Sequence, residues 1–222
     1  MLELHPSKPG ASALRLLCLG AHSDDIEIGC GGTVLSLLES NIDVEVRWMV
    51  FSANDERSRE ARNSAAAFLS KARNSEVAVK AHRDGFFPFH GAAIKEDFEA
   101  LKLDFEPDLI FTHFREDRHQ DHRLISDLTW NTFRDHLVLE YEIPKYDGDL
   151  GQPNVFFPLN DSICERKIGI LLESFKSQGK KSWFDEQTFR AILRLRGMEA
   201  NSRTRYAEAF YCRKAVFGSL NP

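Results

Sequence analysis

Two short apolar runs, residues 14–19 and 109–112, each lead into a cluster of histidine and aspartate. After the first run comes Gly20-Ala21-His22-Ser23-Asp24-Asp25. The second is followed, nearly a hundred residues later in the chain, by His119-Gln120-Asp121-His122. A nearly continuous apolar run of this length reads as a strand buried on both faces, the kind found in parallel sheets. Ligands of open parallel sheets bind outside the carboxyl ends of the strands. Both clusters sit where such a sheet places its site, so order along the chain and fold rule converge on one cleft.

The rest of the chain supports that sheet. Residues 29–40 carry Val34, Leu35, Leu37 and Leu38 on a helical period, behind Gly31 and Gly32, which permit close backbone approach. Residues 43–51 alternate as a strand, 56–72 read as a helix, 77–79 as a weak strand, 94–105 as a helix and 121–133 as another. Strand and helix alternate through residues 1–136. This predicts an α/β fold, Rossmann-like, with a mostly parallel sheet and helices on both faces. From 137 to 222 the pattern changes to a smaller C-terminal lobe. It comprises a strand at 137–143, a stretch rich in Gly, Pro, Asp and Asn at 144–158, helices at 161–177 and 186–198, and a closing strand at 207–217. A length of 222 residues fits one domain spanning 1–222.

Composition removes several function classes. The net charge is -5 and no basic block is longer than Lys180-Lys181, so nucleic acid is not an expected partner. The run at 14–19 is too short to span a bilayer, and residues 1–12 do not read as a signal peptide. The expectation is a cytoplasmic protein with no membrane insertion. Cys18, Cys30, Cys164 and Cys212 show no CxxC spacing and read as free thiols.

The two clusters together hold three histidines and three aspartates, enough for a three-ligand catalytic metal site with groups left over for acid–base work. Adjacent residues in an extended segment point opposite ways. One of Asp24 and Asp25 can therefore ligate while the other faces the reacting water, and spacing does not say which. Asp121 also reads as a helix N-cap, and His113 as a packed residue at a strand end. Two other chemistries share these residues. His22-x-Asp24 with a distant histidine matches the facial triad of non-haem Fe(II) oxygenases, and Gly29-x-Gly31-Gly32 invites comparison with a nucleotide-sugar binding loop, although it lacks GxGxxG spacing.

The stretch from Gly20 through Gly29 resembles the AHPDD signature of the LmbE/PIG-L de-N-acetylases, and His119-Gln120-Asp121-His122 resembles that family's HPDH signature. Arg57-Ser58-Arg59-Glu60-Ala61 and Tyr206-Ala207-Glu208-Ala209-Phe210 resemble two further family segments. Ser23 and Gln120 stand where proline is common, both at spacer positions. The resemblance implies a zinc-dependent hydrolase that removes acetyl from an N-acetylated amino sugar of GlcNAc type, with one Zn2+ per chain. It implies His22, Asp25 and His122 as metal ligands and Asp24 as general base. It also implies His119 as the electrophilic or acid partner, held as imidazolium by Asp121, and Arg57 as a contact to substrate or to the site's carboxylates. The partner it implies is a small-molecule amino sugar. It also raises a homo-oligomer, for which the sequence carries no interface signal.

Overall fold

Residues 13–40 and 42–216 are described by the computed structural model. The strands are β1 (Leu14–Gly20), β2 (Val44–Val50), β3 (Asn74–Val79), β4 (Leu109–His113), β5 (Leu137–Tyr141), β6 (Val155–Leu159) and β7 (Tyr206–Cys212). The helices are α1 (Asp25–Glu39), α2 (Asp55–Phe68), α3 (Gly91–Asp104), α4 (Gln120–Thr132), α5 (Asp161–Ser174) and α6 (Glu186–Glu199). One seven-stranded sheet runs in the order β3-β2-β1-β4-β5-β7-β6. The first five strands are parallel, and β7 is antiparallel to both its neighbours.

Strand alternation sorts the core onto two faces. Leu16 and Cys18 of β1 share one apolar cluster with residues of α1, α2, α5 and α6. Leu17 and Leu19 share the other with residues of α3 and α4. Burying a side chain of this size contributes about 1.5–3 kcal/mol, so strand β1, covered on both sides, anchors both layers. The chain steps from β1 outward to β3, then returns to β4 on the other side of β1. The carboxyl ends of β1 and β4 therefore flank the switch point.

Several boundaries depart from the sequence reading. Helix α1 begins at Asp25, four residues ahead of the expected start, and is buried from Asp25 through Leu35. A helix packed on all sides lacks the one-sided apolar stripe that marks a helix start in sequence. Strand β6 falls in and just beyond the stretch read as loop; Pro158 obscures it, and the strand tolerates proline because it lies at the sheet edge. The C-terminal lobe joins the same sheet through β5, β7 and β6. Residues 1–12, and position 217 at the end of the expected closing strand, lie outside the described residues.

A buried carboxylate ties this lobe to α1. Glu208 of β7 accepts from Gly32 N (2.7 Å), Thr33 N and Thr33 Oγ1 (both 2.6 Å), and Lys167 Nζ of α5 (2.6 Å). Both ends of the ion pair are 2% exposed, and with its acceptors filled the pair carries no unmet polar group. Gly32 is required here, since a Cβ would lie 2.9 Å from Glu208 Oε1 and 2.5 Å from Leu159.

Gly29 makes the closest approach, because a Cβ there would fall 2.1 Å from the ring of the buried Tyr141. That ring is pinned by its hydroxyl, which donates to Leu19 O at 2.6 Å. Gly29→Ala should destabilise the fold by about 1–3 kcal/mol through overpacking. Gly169→Ala in α5, where a Cβ meets nothing within 4 Å, should instead be neutral or stabilising by up to about 1 kcal/mol. Paired denaturant melts check this contrast, and equal midpoints for the two variants would refute it.

Candidate active site

β1 ends at Gly20, and the chain turns through His22 into α1. Asp25 fixes the turn by accepting His22 N at 2.6 Å. Asp24 is the cap residue with φ -112° and ψ -5°, so the segment is not extended as the sequence reading assumes. The two carboxylates still diverge, because entry into a helix rotates successive side chains by about 100°. Asp25 turns toward the imidazoles, while Asp24 accepts from Arg57 Nη2 at 2.6 Å. From the second cluster, His119 caps α4 and His122 lies on its first turn, facing the end of β1.

Three donor atoms converge. His22 Nδ1 lies 3.1 Å from His122 Nε2 and 3.4 Å from Asp25 Oδ2, and His122 Nε2 lies 3.5 Å from Asp25 Oδ2. Ligands on a tetrahedral zinc with bonds of about 2.0–2.1 Å stand roughly 3.3 Å apart, so this triangle has the right size. Each imidazole is backed by carboxylate on its other nitrogen. His122 Nδ1 meets Asp117 Oδ2 at 2.9 Å. His22 Nε2 meets Asp84 Oδ1 at 3.1 Å and Asp121 Oδ2 at 3.3 Å. Such partners set tautomer and ring orientation and raise ligand basicity. With those nitrogens committed, Nδ1 of His22 and Nε2 of His122 face one another as lone pairs, an arrangement that calls for a cation or proton between them.

The electrostatics agree. Burial alone would lower the His22 pKa, but Asp25, Asp121 and Asp84 outweigh it and raise it well above the usual value. His122 is pushed down to about 4 by burial and by His113. His22 is thus the more basic and His122 the less basic of the two facing imidazoles. Burial would raise Asp25, yet His122, His113 and His22 hold it well below the carboxylate range. Asp24 is raised, by burial first and by Asp25, against the pull of Arg57. The two neighbouring carboxylates are thereby made chemically distinct, Asp25 the more acidic and Asp24 the more basic.

The expected support of a His119 imidazolium by the Asp121 carboxylate is not the contact the fold builds. Burial and the His22 charge lower the His119 pKa, more than Asp121 raises it. The Asp121 carboxylate is engaged elsewhere, on His22, on Gly85 N (2.6 Å) and on Phe87 N (3.1 Å). Only the backbone of Asp121 serves His119, donating to Nδ1 at 3.3 Å. With Nδ1 accepting that N–H, Nε2 is the ring nitrogen left to donate. Its ring stands edge-on to His22, with centroids 4.9 Å apart.

His113 is fully buried and stacks on His122, with ring centroids 3.9 Å apart. Its Nε2 accepts from Ala21 N at 2.9 Å, which occupies the lone pair a metal would need, although Asp25 Oδ2 lies only 3.2 Å away. Arg57 is placed on Asp24, and its buried Nε has no protein partner. Asp84, Asp117 and Lys145 escaped the sequence reading. Lys145 Nζ reaches Asp117 Oδ2 at 2.9 Å, so the 144–158 stretch braces the ligand shell. A carboxylate five residues ahead of His122 was the available signal for Asp117; nothing in sequence marks Asp84 or Lys145.

The two other chemistries lose their basis. The carboxylate nearest the imidazoles is Asp25, not the Asp24 that a His22-x-Asp24 triad requires. Gly29, Gly31 and Gly32 lie inside α1 against Tyr141, Phe68 and Leu159, leaving no room for a phosphate. Cys18, Cys30 and Cys164 are free and buried, and Cys212 is free and partly buried. Among the described residues no helix is long and apolar enough to cross a membrane.

Solved structures share this fold. A conserved protein of Thermus thermophilus superposes with a TM-score of 0.72 at 17% identity, covering 93% of this chain and 97% of that one. The N,N'-diacetylchitobiose deacetylase of Pyrococcus horikoshii gives 0.68 at 19% identity, covering 90% and 84%. The 4-carboxy-2-hydroxymuconate hydratase of Pseudomonas putida gives 0.67 at 15% identity, covering 93% and 98%. At these identities the likeness is one of fold, and the fold carries more than one chemistry. The family model described as PIG-L, GlcNAc-PI de-N-acetylase, matches residues 17–133, more than half of the chain and the whole of the His/Asp site. The chain belongs to the PIG-L (LmbE-like) de-N-acetylase family.

Proposed function

We propose that the protein is a zinc-dependent N-deacetylase that hydrolyses the acetamide of an N-acetylated amino sugar, releasing acetate and a free amine. The observation that carries this reading is the triangle of His22 Nδ1, Asp25 Oδ2 and His122 Nε2, with the raised carboxylate of Asp24 beside it. Family membership and the deacetylase among the structural neighbours support it. His22, Asp25 and His122 would hold a divalent ion, which would acidify a water and polarise the acetyl carbonyl.

The chain's own groups do the remainder. Asp24 takes a proton from the attacking water, and a raised pKa makes a carboxylate a better acceptor near neutral pH. Arg57 holds that carboxylate in place. His119 Nε2–H donates to the carbonyl oxygen as charge develops there, with the ring held by the Asp121 backbone N–H on Nδ1. When the C–N bond breaks, the proton stored on Asp24 passes to the leaving amine, so the proton count balances. Asp121 and Asp84 orient His22, and Asp117 orients His122.

Incubation with GlcNAc conjugates, read as free amine and acetate, tests the reaction; zinc-loaded protein that releases neither would sink the proposal. His122→Ala should lower metal content and activity together, and full metal stoichiometry in elemental analysis would remove His122 from the ligand set. Asp24→Asn should keep its metal and lose roughly 10²–10⁴-fold in kcat, so near-normal turnover would exclude it as the base. Asp117→Asn should remain folded yet bind zinc about 10–100-fold more weakly, measured by competition with a chromogenic chelator. An unchanged affinity would show that Asp117 does not tune His122.

A further inference from the structure

Away from the His/Asp cluster, an open pocket of about 610 Å³ lies between α4 and the chain ends that follow β4 and β7. Its volume falls in the range of about 300–1,000 Å³ typical of small-molecule sites. Arg115, Trp130, Arg134, Arg213 and Lys214 line it, with Asp127 as the acidic residue of the wall. The indole of Trp130 gathers three of the cations, with Arg213 Cζ at 4.7 Å, Arg115 Cζ at 5.6 Å and Lys214 Nζ at 5.7 Å from its centroid.

The back of this pocket is rigid. Glu140, fully buried on β5, accepts from Trp130 Nε1 at 2.6 Å and from Arg115 N and Nε at 3.2 and 3.3 Å. That carboxylate is therefore spent on the indole and on Arg115. Arg134, Arg213 and Lys214 remain. Lys214 Nζ donates to the backbone carbonyl of Arg134 and Arg134 Nε to that of Asn131 at 3.2 Å, so among the described residues neither charge meets a carboxylate in an ion pair, and Asp127 is the acidic residue of the lining. All three cations are exposed, in a chain whose net charge is -5. Like charges drawn together on an acidic protein repel one another. The ring face offsets part of that cost, and an anion seated among them would offset the rest. Guanidinium groups match the oxygens of a phosphoryl group in paired hydrogen bonds. The cations lie around one cavity rather than along a stripe, so the geometry suits a compact headgroup and not a nucleic-acid backbone.

We propose that the Trp130 pocket binds a phosphoryl group, carried by a phosphorylated small molecule or by a phospholipid headgroup, at a place separate from the deacetylase centre. Calorimetric titration of the protein with inorganic pyrophosphate tests this. The exposed pair Arg213→Ala/Lys214→Ala should weaken binding by at least about tenfold, the scale of one lost charge-assisted hydrogen bond. Arg134→Glu should weaken it independently, and His122→Ala should leave it unchanged. Pyrophosphate that binds the pocket variants as tightly as the parent overturns the proposal. So does binding lost in His122→Ala, which would assign the anion to the metal centre. A change in solution mass in the double variant with undiminished pyrophosphate binding also overturns it, and makes this face an interface between copies. Co-sedimentation with phosphatidylcholine vesicles containing phosphatidic acid separates the two sources. Pocket-dependent capture by those vesicles identifies a lipid headgroup, and pyrophosphate binding without capture identifies a soluble phosphate.

Discussion

The parallel pairing of β1 with β4 holds the site together. Leu16, Leu17 and Cys18 register with Leu109, Ile110 and Phe111, which brings two strand ends to one edge although they lie far apart in the chain. Two stitches lock that edge: Ala21 N donates to His113 Nε2, and Tyr141 Oη donates to Leu19 O. Only then can His22 and His122 stand 3.1 Å apart. A shift of the pairing by one residue would reverse which side chains face each helical layer. The buried apolar residues on both faces of β1 therefore also guard the geometry of the imidazoles.

On that frame the site divides one kind of chemistry into several roles. Asp24 and Asp25 are neighbours in sequence with opposite shifts, one raised by burial and the other held down by three imidazoles. Asp117, Asp121 and Asp84 sit behind the donors and carry their charge inward. Packing so much acid and imidazole into a buried edge is costly. On the proposed reading, a divalent cation held there would offset that cost and couple metal affinity to stability.

The C-terminal residues serve this arrangement rather than standing apart from it. Glu208 and Lys167 clamp α1, and Lys145 braces Asp117. Helix α2 works in two directions: Arg57 holds Asp24, and Glu60 takes Ser177 N and Oγ at 2.9 and 2.6 Å. The rim segment that follows carries Lys181, whose charge is felt at Asp24, and Ser182, which meets Tyr146 at 3.2 Å. The opposite wall is clipped down as Gly85 and Phe87 donate their backbone N–H groups to Asp121.

The alternating pattern of strands and helices, the strand ends that bear the site and the six His and Asp residues of the two clusters were all legible in sequence. Apolar periodicity and residue type are local properties and survive without coordinates. Strand β6 was not legible, because a proline at a sheet edge looks like loop until its partner β7 is known. Nor was the division of labour between Asp24 and Asp25, which rests on where a helix begins and on which charges arrive from α2 and α4. The partner of Asp121 was hidden for the same reason: adjacency in sequence suggested that it serves His119, whereas the fold turns that carboxylate to His22. Asp84, Asp117 and Lys145 acquire meaning only through contacts across the fold. The sequence by itself determined which chemical groups this protein owns and at which edge of the sheet they gather. Tertiary structure alone decided which nitrogen faces which oxygen, because charge and hydrogen bonding act through a few ångströms of space and not along the chain.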